Sequence, residues 1–207
     1  MAVNPPSFKI ILGSSSVARR QILEQMGYEF EIMTAGIDEK TIRKEKPEEL
    51  VTVLAEAKAD AIISRLKIAD YKKIEPTLLI TSDIVVVHEG IIREKPTTQE
   101  EACRFLKGYS GNHVTTVNYV HVTNLKTGKR VGGLDKAEVY FYQIPDEVIH
   151  NMIAEGIVFN VAGGLLLEHP LILPLVEAVI GSSDSVMGLP KHLTEKLIQA
   201  ALSAEET

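Results

Sequence analysis

The chain contains a single cysteine, no long apolar run and no excess of basic residues. With Cys103 alone, no intramolecular disulfide can form. No stretch is apolar over the length that crosses a bilayer, and the first residues lack the basic start and apolar core of a secretory signal. These absences predict a cytoplasmic protein in a reducing compartment, with no membrane as a partner.

Basic residues are fewer than acidic ones: the chain contains 22 lysines and arginines and 28 aspartates and glutamates. The net charge of −6 and the isoelectric point near 5.6 argue against a nucleic-acid partner, which requires a basic surface. Small polyanions are not excluded, because a local basic cleft can form on an acidic protein. From the length and the 45% hydrophobic content we expect one two-lobed domain over 1–207, with flexible ends at 1–6 and 203–207.

The apolar pattern predicts strands and helices that alternate along the chain, which indicates an α/β protein with a mixed sheet. We expect strands at 8–12, 30–34, 77–87, 91–93, 113–124 and 130–143. We expect helices at 19–26, 47–66 and 98–107, from Pro145 onward, and at 189–204 with Pro190 in its first turn. Thr98 and Glu101 form a predicted capping box. Between Gly156 and the last helix the pattern indicates no clear element.

An acidic residue, Asp83, interrupts the apolar run LLITSDIVVV at 78–87. A β-branched run of this kind predicts a buried strand, in which an unpaired carboxylate would cost several kcal/mol or would take up a proton. The carboxylate therefore needs a cation beside it, either a divalent metal or one of Lys58, Lys95 and Arg19. Acidic and basic groups in this combination suggest phosphate chemistry.

The segment GSSSVARR at 13–20 connects a predicted strand to a predicted helix. Its backbone amides and hydroxyls, with the positive end of the helix, would cradle an anion, and Arg19 could fork onto a phosphate. The alternative is a serine-rich helix cap with two solvated arginines, Arg19 and Arg20. The glycine-lysine-hydroxyl signature of a Walker loop is not present.

Two further charged positions have both a functional and a structural interpretation. Asp38 and Glu39 could join Asp83 in a two-carboxylate magnesium site, or they form a solvated acidic pair. Lys58 lies on the apolar stripe of the helix predicted at 47–66, where it either points inward or snorkels to the surface.

The remaining polar segments are less specific. Lys95 lies in the tripeptide EKP at 94–96, which alone indicates little. The loop GSSDS at 181–185, followed by MGLP, could shape a substrate pocket or only cap the last helix. The six histidines show no metal-ligand spacing, and Cys103 is expected to be a small buried residue, so zinc is not predicted.

Seven short motifs, in this order, resemble those of the Maf family, also called septum formation inhibitor-like proteins. Members of this family act as nucleoside triphosphate pyrophosphatases. One match would mean little, but seven in sequence are specific, and the resemblance runs from Phe8 to the closing helix. The motifs are SSSVAR at 14–19, GIDE at 36–39, LAEAKA at 54–59, SDIVV at 82–86, EKP at 94–96, SG at 110–111 and MGLP at 187–190.

The resemblance implies a fold, a cofactor and a set of site residues. The implied fold is α/β, an elongated mixed sheet flanked by helices, with two lobes and a central cleft, similar to the inosine triphosphate pyrophosphatases. A divalent metal, Mg²⁺ or Mn²⁺, held by Glu39 and Asp83, and a homodimer are also implied. The implied catalytic residues are Asp83, Lys58, Lys95 and Glu39, and the implied phosphate-binding residues are Ser14, Ser16 and Arg19.

The chain departs from the family pattern at three positions. Val17 replaces the usual proline of the serine motif, and Ala18 replaces an arginine or tyrosine, so Arg20 is a candidate to reach the same phosphate. Glu168 stands where one branch carries glutamine. Because a carboxylate accepts hydrogen bonds from guanine but repels the carbonyl edge of uracil, Glu168 favours a purine such as 7-methyl-GTP.

Four functions are therefore compatible with the sequence. The main interpretation is a pyrophosphatase that cleaves the α–β phosphate bond of a modified purine nucleotide. The alternatives are a dTTP/UTP pyrophosphatase, a house-cleaning enzyme for inosine triphosphate, and a nucleotide-binding regulator of cell division with little turnover.

Overall fold

The computed structural model describes residues 8–203. Residues 1–7 and 204–207 lie outside the described part of the chain. The ends predicted to be flexible, 1–6 and 203–207, therefore also lie outside it, except for Ser203. Ser203 ends the last helix, and its hydroxyl donates to the Ala200 carbonyl at 2.8 Å. Within residues 8–203, no helix is long and apolar enough to cross a membrane.

Strands and α-helices alternate in the described residues much as the apolar pattern predicts. The strands are β1 Lys9–Leu12, β2 Phe30–Ile32, β3 Thr77–His88, β4 Ile91–Arg93, β5 His113–Asn124, β6 Arg130–Phe141 and β7 Val176–Ile180. The α-helices are α1 Val17–Gln25, α2 Pro47–Ile63, α3 Ile68–Tyr71, α4 Gln99–Tyr109, α5 Asp146–Glu155, α6 Ser183–Val186 and α7 Lys191–Leu202. Short 3₁₀ turns lie at Glu39–Thr41, Ile157–Asn160, Ala162–Gly164 and Leu173–Leu175.

All seven strands form one mixed sheet in the order β2-β1-β3-β5-β6-β7, with β4 paired to β3 beside this path. β1 is parallel to β2 and to β3, and the other pairings are antiparallel. Helices flank the sheet, so the predicted α/β class with a mixed sheet is confirmed.

The two faces of β3 pack against different helices because its side chains alternate. Leu79 and Val85 face α2, where they contact Ile62 and Leu54. On the opposite face, two apolar clusters lie toward the two ends of the strand. One contains Leu78 and Ile80 with residues of α1 and α7, and the other contains Val86 with residues of α4 and α5.

One edge of β3 is left without a neighbouring strand at its centre. β5 pairs with one edge over its length, from Leu78 to Val87. On the other edge, β1 pairs only with Thr77–Ile80 and β4 only with Val86–His88. The unpaired edge therefore spans 81–85, about 17 Å at the usual rise of about 3.3 Å per residue. We call this segment the edge gap, and Asp83 lies at its centre.

Some predicted boundaries are wrong at the ends of elements. The helix predicted at 47–66 ends at Ile63, and Pro190 precedes the last helix instead of lying in its first turn. The capping box is half formed: the Glu101 amide donates to the Thr98 hydroxyl at 3.1 Å, but the Glu101 carboxylate accepts from Thr97. Strand β7 is not predicted, because it is an edge strand whose side chains are half-buried or exposed without regular alternation.

Gly13 directly follows β1, beside the start of the edge gap. There is no room for a side chain at this position. A Cβ atom there would lie 2.5 Å from Cγ2 of Thr81 and 2.8 Å from Cδ1 of Ile62. Thr81 cannot turn away without breaking the hydrogen bond from its hydroxyl to the Ala55 carbonyl, at 2.8 Å. The close approach of β1, α2 and β3 at this point therefore requires glycine.

We expect Gly13→Ala to lower the free energy of unfolding by about 1–3 kcal/mol, because overpacking must displace Thr81 or the chain after β1. Urea denaturation measures this change. Ser15→Ala, at an exposed position two residues along the same loop, is the control and should stay within about 0.5 kcal/mol of the parent. Equal stability of Gly13→Ala and the parent would contradict the packing described.

Candidate active site

A buried ion pair lies at the centre of the edge gap. The Asp83 side chain points to the face covered by α2, as do its odd-numbered neighbours on β3, and only 6% of the residue is exposed. The ammonium of Lys58 on α2 lies 2.5 Å from Oδ1 of Asp83 and 3.2 Å from Oε1 of Glu39. Lys58 thus points inward and does not snorkel.

The three charged groups form a path from the interior to solvent. The side chains of Asp83 and Lys58 are about nine-tenths buried, whereas that of Glu39 is 42% exposed. Glu39 begins the first 3₁₀ turn, and the Asp38 carboxylate caps this turn by accepting from the Lys40 amide at 3.2 Å. Asp38 therefore positions the turn, while Glu39 contacts Lys58.

Burial sets the protonation chemistry of the site. It raises the pKa of the Asp83 carboxyl above its ordinary value, while the positive charges of Lys58 and Arg19 act in the opposite direction. It lowers the pKa of the Arg19 guanidinium, and the negative charges of Asp83 and Glu39 oppose that shift. The carboxylate is thus a stronger base than a solvated aspartate, which suits it to accept a proton from water.

The serine segment at 14–16 caps α1 and also contacts an arginine. The Ser16 hydroxyl accepts from the backbone amide of Arg19 at 3.4 Å, which caps the helix. The Ser14 hydroxyl accepts from the Ser16 amide at 3.1 Å and from Nη1 of Arg19 at 3.3 Å. The segment therefore combines the cap with an arginine held beside it.

The two arginines of this segment differ in exposure and contacts. Arg19 is buried, so the alternative of two solvated arginines is wrong for Arg19. Its Nε donates to the Gly188 carbonyl at 2.9 Å, and its Nη2 has no hydrogen-bond partner within residues 8–203. Nη2 is thus available to an anion. Arg20 is half-buried, and its Nη2 donates to the Ser15 carbonyl at 2.8 Å.

The MGLP motif at 187–190 contacts this arginine through its glycine. The Gly188 carbonyl accepts from Arg19 and also from the buried hydroxyl of Ser82, at 3.0 Å. Gly188 has a φ of +98°, and a Cβ atom there would lie 3.3 Å from both Nε and Nη2 of Arg19. The sequence predicts a pocket wall or a cap for this loop but not the contact of the Gly188 carbonyl, because a backbone acceptor has no sequence signature.

Two predicted site residues do not join the buried cluster. Lys95 is exposed in the loop after β4, at the opposite end of the edge gap from Ser14. Glu168 is exposed in the connection between α5 and β7. Among residues 8–203, neither side chain forms a hydrogen bond or an ion pair, so both are open to a ligand.

The donor set at the cluster fits a divalent cation only in part. Glu39 and Asp83 offer oxygens that both lie within hydrogen-bonding distance of one nitrogen of Lys58, and Mg²⁺ is commonly held by one or two carboxylates with water and substrate phosphates. In the described part of the chain, no group of three or more aspartate, glutamate, histidine or cysteine residues could hold a metal. Among the described residues, the cluster thus offers two carboxylates to a cation, and phosphate and water would have to supply the other ligands.

Comparison with known proteins agrees with the motifs. A 7-methyl-GTP pyrophosphatase of Dictyostelium discoideum is 41% identical over 189 residues, which cover 91% of this chain and 95% of that protein. A dTTP/UTP pyrophosphatase of Pelotomaculum thermopropionicum is 33% identical over a region that covers 88% of this chain and 91% of that protein. A nucleoside triphosphate pyrophosphatase of Salinispora tropica is 28% identical over a region that covers 92% of this chain and 82% of that protein. The family model of Maf-like proteins matches residues 9–201, and the chain therefore belongs to the Maf-like protein family.

Proposed function

We propose that this protein is a nucleoside triphosphate pyrophosphatase that hydrolyses the α–β phosphate bond and releases a nucleoside monophosphate and pyrophosphate. The observation that carries the proposal is the ammonium of Lys58 between the carboxylates of Asp83 and Glu39, next to Arg19 in the edge gap. Membership of the Maf-like family and the names of its relatives support the same reaction. We also propose a homodimer, as the family resemblance implies, in the reducing cytoplasm that the single cysteine suggests.

Asp83 is the general base in this proposal. Burial raises its pKa, and its position at the centre of the gap allows a water molecule to lie between it and a bound nucleotide. The carboxylate accepts a proton from this water as the oxygen attacks the α-phosphorus in line with the leaving pyrophosphate.

Cationic groups stabilise the charge that develops on the leaving pyrophosphate. Arg19 presents its Nη2 beside the hydroxyls of Ser14 and Ser16, and Lys58 carries its charge next to the base. Lys95 and Arg20 lie at opposite ends of the edge gap and are further cations that can reach the phosphates of the substrate. Charge neutralisation of this kind is the largest contribution to catalysis in most phosphoryl transfers.

Glu39 and Asp83 would hold the divalent cation, Mg²⁺ or Mn²⁺. When bound there, the cation would supply positive charge to the phosphate oxygens. In the structure, the ammonium of Lys58 contacts one oxygen of each of these carboxylates. A cation held by the two carboxylates would therefore compete with the ammonium.

The nucleobase of the substrate is proposed from one residue of this chain and from the name of one relative. Glu168 is exposed and free of protein partners among the described residues, so its carboxylate can accept hydrogen bonds from the edge of a guanine. The relative from Dictyostelium discoideum is named for 7-methyl-GTP. The second candidate is dTTP or UTP, which the name of the Pelotomaculum thermopropionicum relative favours.

We expect Asp83→Asn to lower kcat by about 10²–10⁴-fold, the usual contribution of a general base. Pyrophosphate release is measured with Mg²⁺ over a panel that includes 7-methyl-GTP, GTP, inosine triphosphate, dTTP and UTP. Asp70→Asn, an exposed change on α3, is the control and should keep the parent rate. An Asp83→Asn protein that turns over at the parent rate would remove Asp83 from the chemistry.

The same assay separates the enzyme from the regulator. Product that appears with Mg²⁺ and disappears with a chelator supports the pyrophosphatase. Saturable nucleotide binding without any product would instead support a nucleotide-binding regulator.

We expect Lys58→Met to bind Mn²⁺ more tightly than the parent, by roughly tenfold, or about 1.4 kcal/mol, because the competing ammonium is gone. Its kcat should fall, because the same ammonium neutralises phosphate charge in the reaction. Electron paramagnetic resonance of free Mn²⁺ measures the affinity without nucleotide. Lys67→Met, at an exposed position before α3, should leave both quantities unchanged. Weaker Mn²⁺ binding by Lys58→Met would contradict the competition.

We expect Glu168→Gln to lower kcat/KM for 7-methyl-GTP by roughly 10–100-fold, since hydrogen bonds to a charged acceptor contribute about 1.5–3 kcal/mol. The kcat/KM for UTP should not fall, because uracil presents a carbonyl that the carboxylate repels. The ratio of the two kcat/KM values is the measurement. Glu177→Gln, exposed on β7, is the control. An unchanged ratio in Glu168→Gln would mean that Glu168 does not contact the base.

A further inference from the structure

A buried amide lies on the face of the sheet opposite Asp83. Asn118 on β5 is fully buried, and it pairs in register with Ile84 of β3 and Asp135 of β6, so the three side chains share one face. Burial of an amide costs free energy unless the amide is hydrogen-bonded. The partners of Asn118 therefore show why it is tolerated here.

Asn118 begins a directed chain of hydrogen bonds. Its Nδ2 donates to the Ser185 carbonyl at 2.7 Å and to the Ser185 hydroxyl at 3.3 Å. That hydroxyl, which has one proton to donate, donates it to the Asp135 carboxylate. Ser185 is itself fully buried. Residues of β5, β6 and α6 are thereby joined into what we call the Asn118 network: Asn118, Ser185 and Asp135.

The Asn118 network is one hydrogen bond away from Gly188. The Ser185 carbonyl that accepts from Asn118 also accepts from the Gly188 backbone amide, at 3.0 Å. The carbonyl of the same glycine accepts from Nε of Arg19 at 2.9 Å. Displacement of Ser185 would therefore move the acceptor that orients the Arg19 guanidinium.

Helix α6 cannot hold this position by its own stability. It contains four residues, Ser183–Val186, and a single helical turn is unstable without tertiary contacts. Contacts within its own loop, such as the Ser182 hydroxyl that accepts from the Ser185 amide at 3.3 Å, do not fix it to the sheet. Asn118 and Asp135 supply polar anchors that do.

We propose that Asn118, Ser185 and Asp135 are positioning residues for Arg19. The network holds α6 on the sheet so that the Gly188 carbonyl fixes the guanidinium with Nη2 directed to the phosphates of the substrate. This inference rests on the proposed function, in which Arg19 binds phosphate. None of the three residues touches the reacting atoms in the proposal, so their effect on the reaction passes through Arg19.

The chain contains a matched control for Asn118. Asn124 is buried on the same strand, and its Nδ2 also donates to a backbone carbonyl of a C-terminal helix, that of Ala201 at 3.0 Å. It lies six residues farther along β5, about 20 Å away at the usual rise. Its Oδ1 also accepts from the Lys126 and Thr127 amides, so its loss should cost at least as much stability as that of Asn118.

The test compares Asn118→Ala with Asn124→Ala by calorimetric titration of each full-length protein with inorganic triphosphate and Mg²⁺. This probe contains the phosphates and no base. We expect Asn118→Ala to bind it roughly tenfold more weakly than the parent, and Asn124→Ala to bind it within about twofold of the parent despite an equal or larger loss of stability. Equal affinities in the two variants would overturn the proposal.

A second pair of variants tests the same network at Asp135, which is less buried than Asn118. Asp135→Asn keeps an acceptor for the Ser185 hydroxyl and should stay within about threefold of the parent, whereas Asp135→Ala should match Asn118→Ala. If Asn118→Ala does not fold, this pair alone decides: Asp135→Ala binding triphosphate as tightly as Asp135→Asn would overturn the proposal.

The outcome is independent of turnover. A parent protein that binds triphosphate but releases no pyrophosphate from any nucleotide would contradict the proposed function, while the comparison of affinities would still test the positioning of Arg19.

Discussion

The burial of one carboxylate is the constraint on which the site depends. Asp83 lies in an apolar strand, and its negative charge is tolerated there because the Lys58 ammonium lies 2.5 Å away and Arg19 contributes a second positive charge. Both partners are themselves buried and need the negative charge in return. Helix α2, helix α1 and strand β3 are thus linked by charge as well as by apolar packing.

The edge gap leaves one side of this cluster without a covering strand. A carboxylate on a fully paired central strand, under a helix, would be sealed from substrate. Here β1 ends at Leu12 and β4 ends at Arg93, which pairs with Val86, so the centre of β3 has strand β5 on one side only. Loops occupy the two ends of the gap, with Ser14 at one and Lys95 at the other, and the half-exposed Glu39 connects the buried charges to solvent.

Much of the fold follows from local sequence patterns. The two long strands β5 and β6 were predicted within two residues at each end, because both runs are long, β5 is rich in β-branched residues and a glycine turn separates them. Strand β7 was missed because it is a short edge strand whose side chains are half-buried or exposed. The half-formed capping box shows the same limit, since the Glu101 carboxylate has a choice of two neighbouring donors, and only the local geometry selects Thr97.

The sequence by itself determined that Asp83 must be buried and must have a cation, because hydrophobic periodicity and the cost of an unpaired charge are local properties. It did not determine which cation. Lys58, Lys95, Arg19 and a divalent metal were all candidates, and the tertiary structure placed Lys58 against the carboxylate while Lys95 remained exposed. The contact between Gly188 and Arg19 was likewise decided only by the fold, since these residues are separated by 169 positions and the acceptor is a backbone carbonyl. Contacts of this kind depend on how helices and strands pack, which no local pattern specifies.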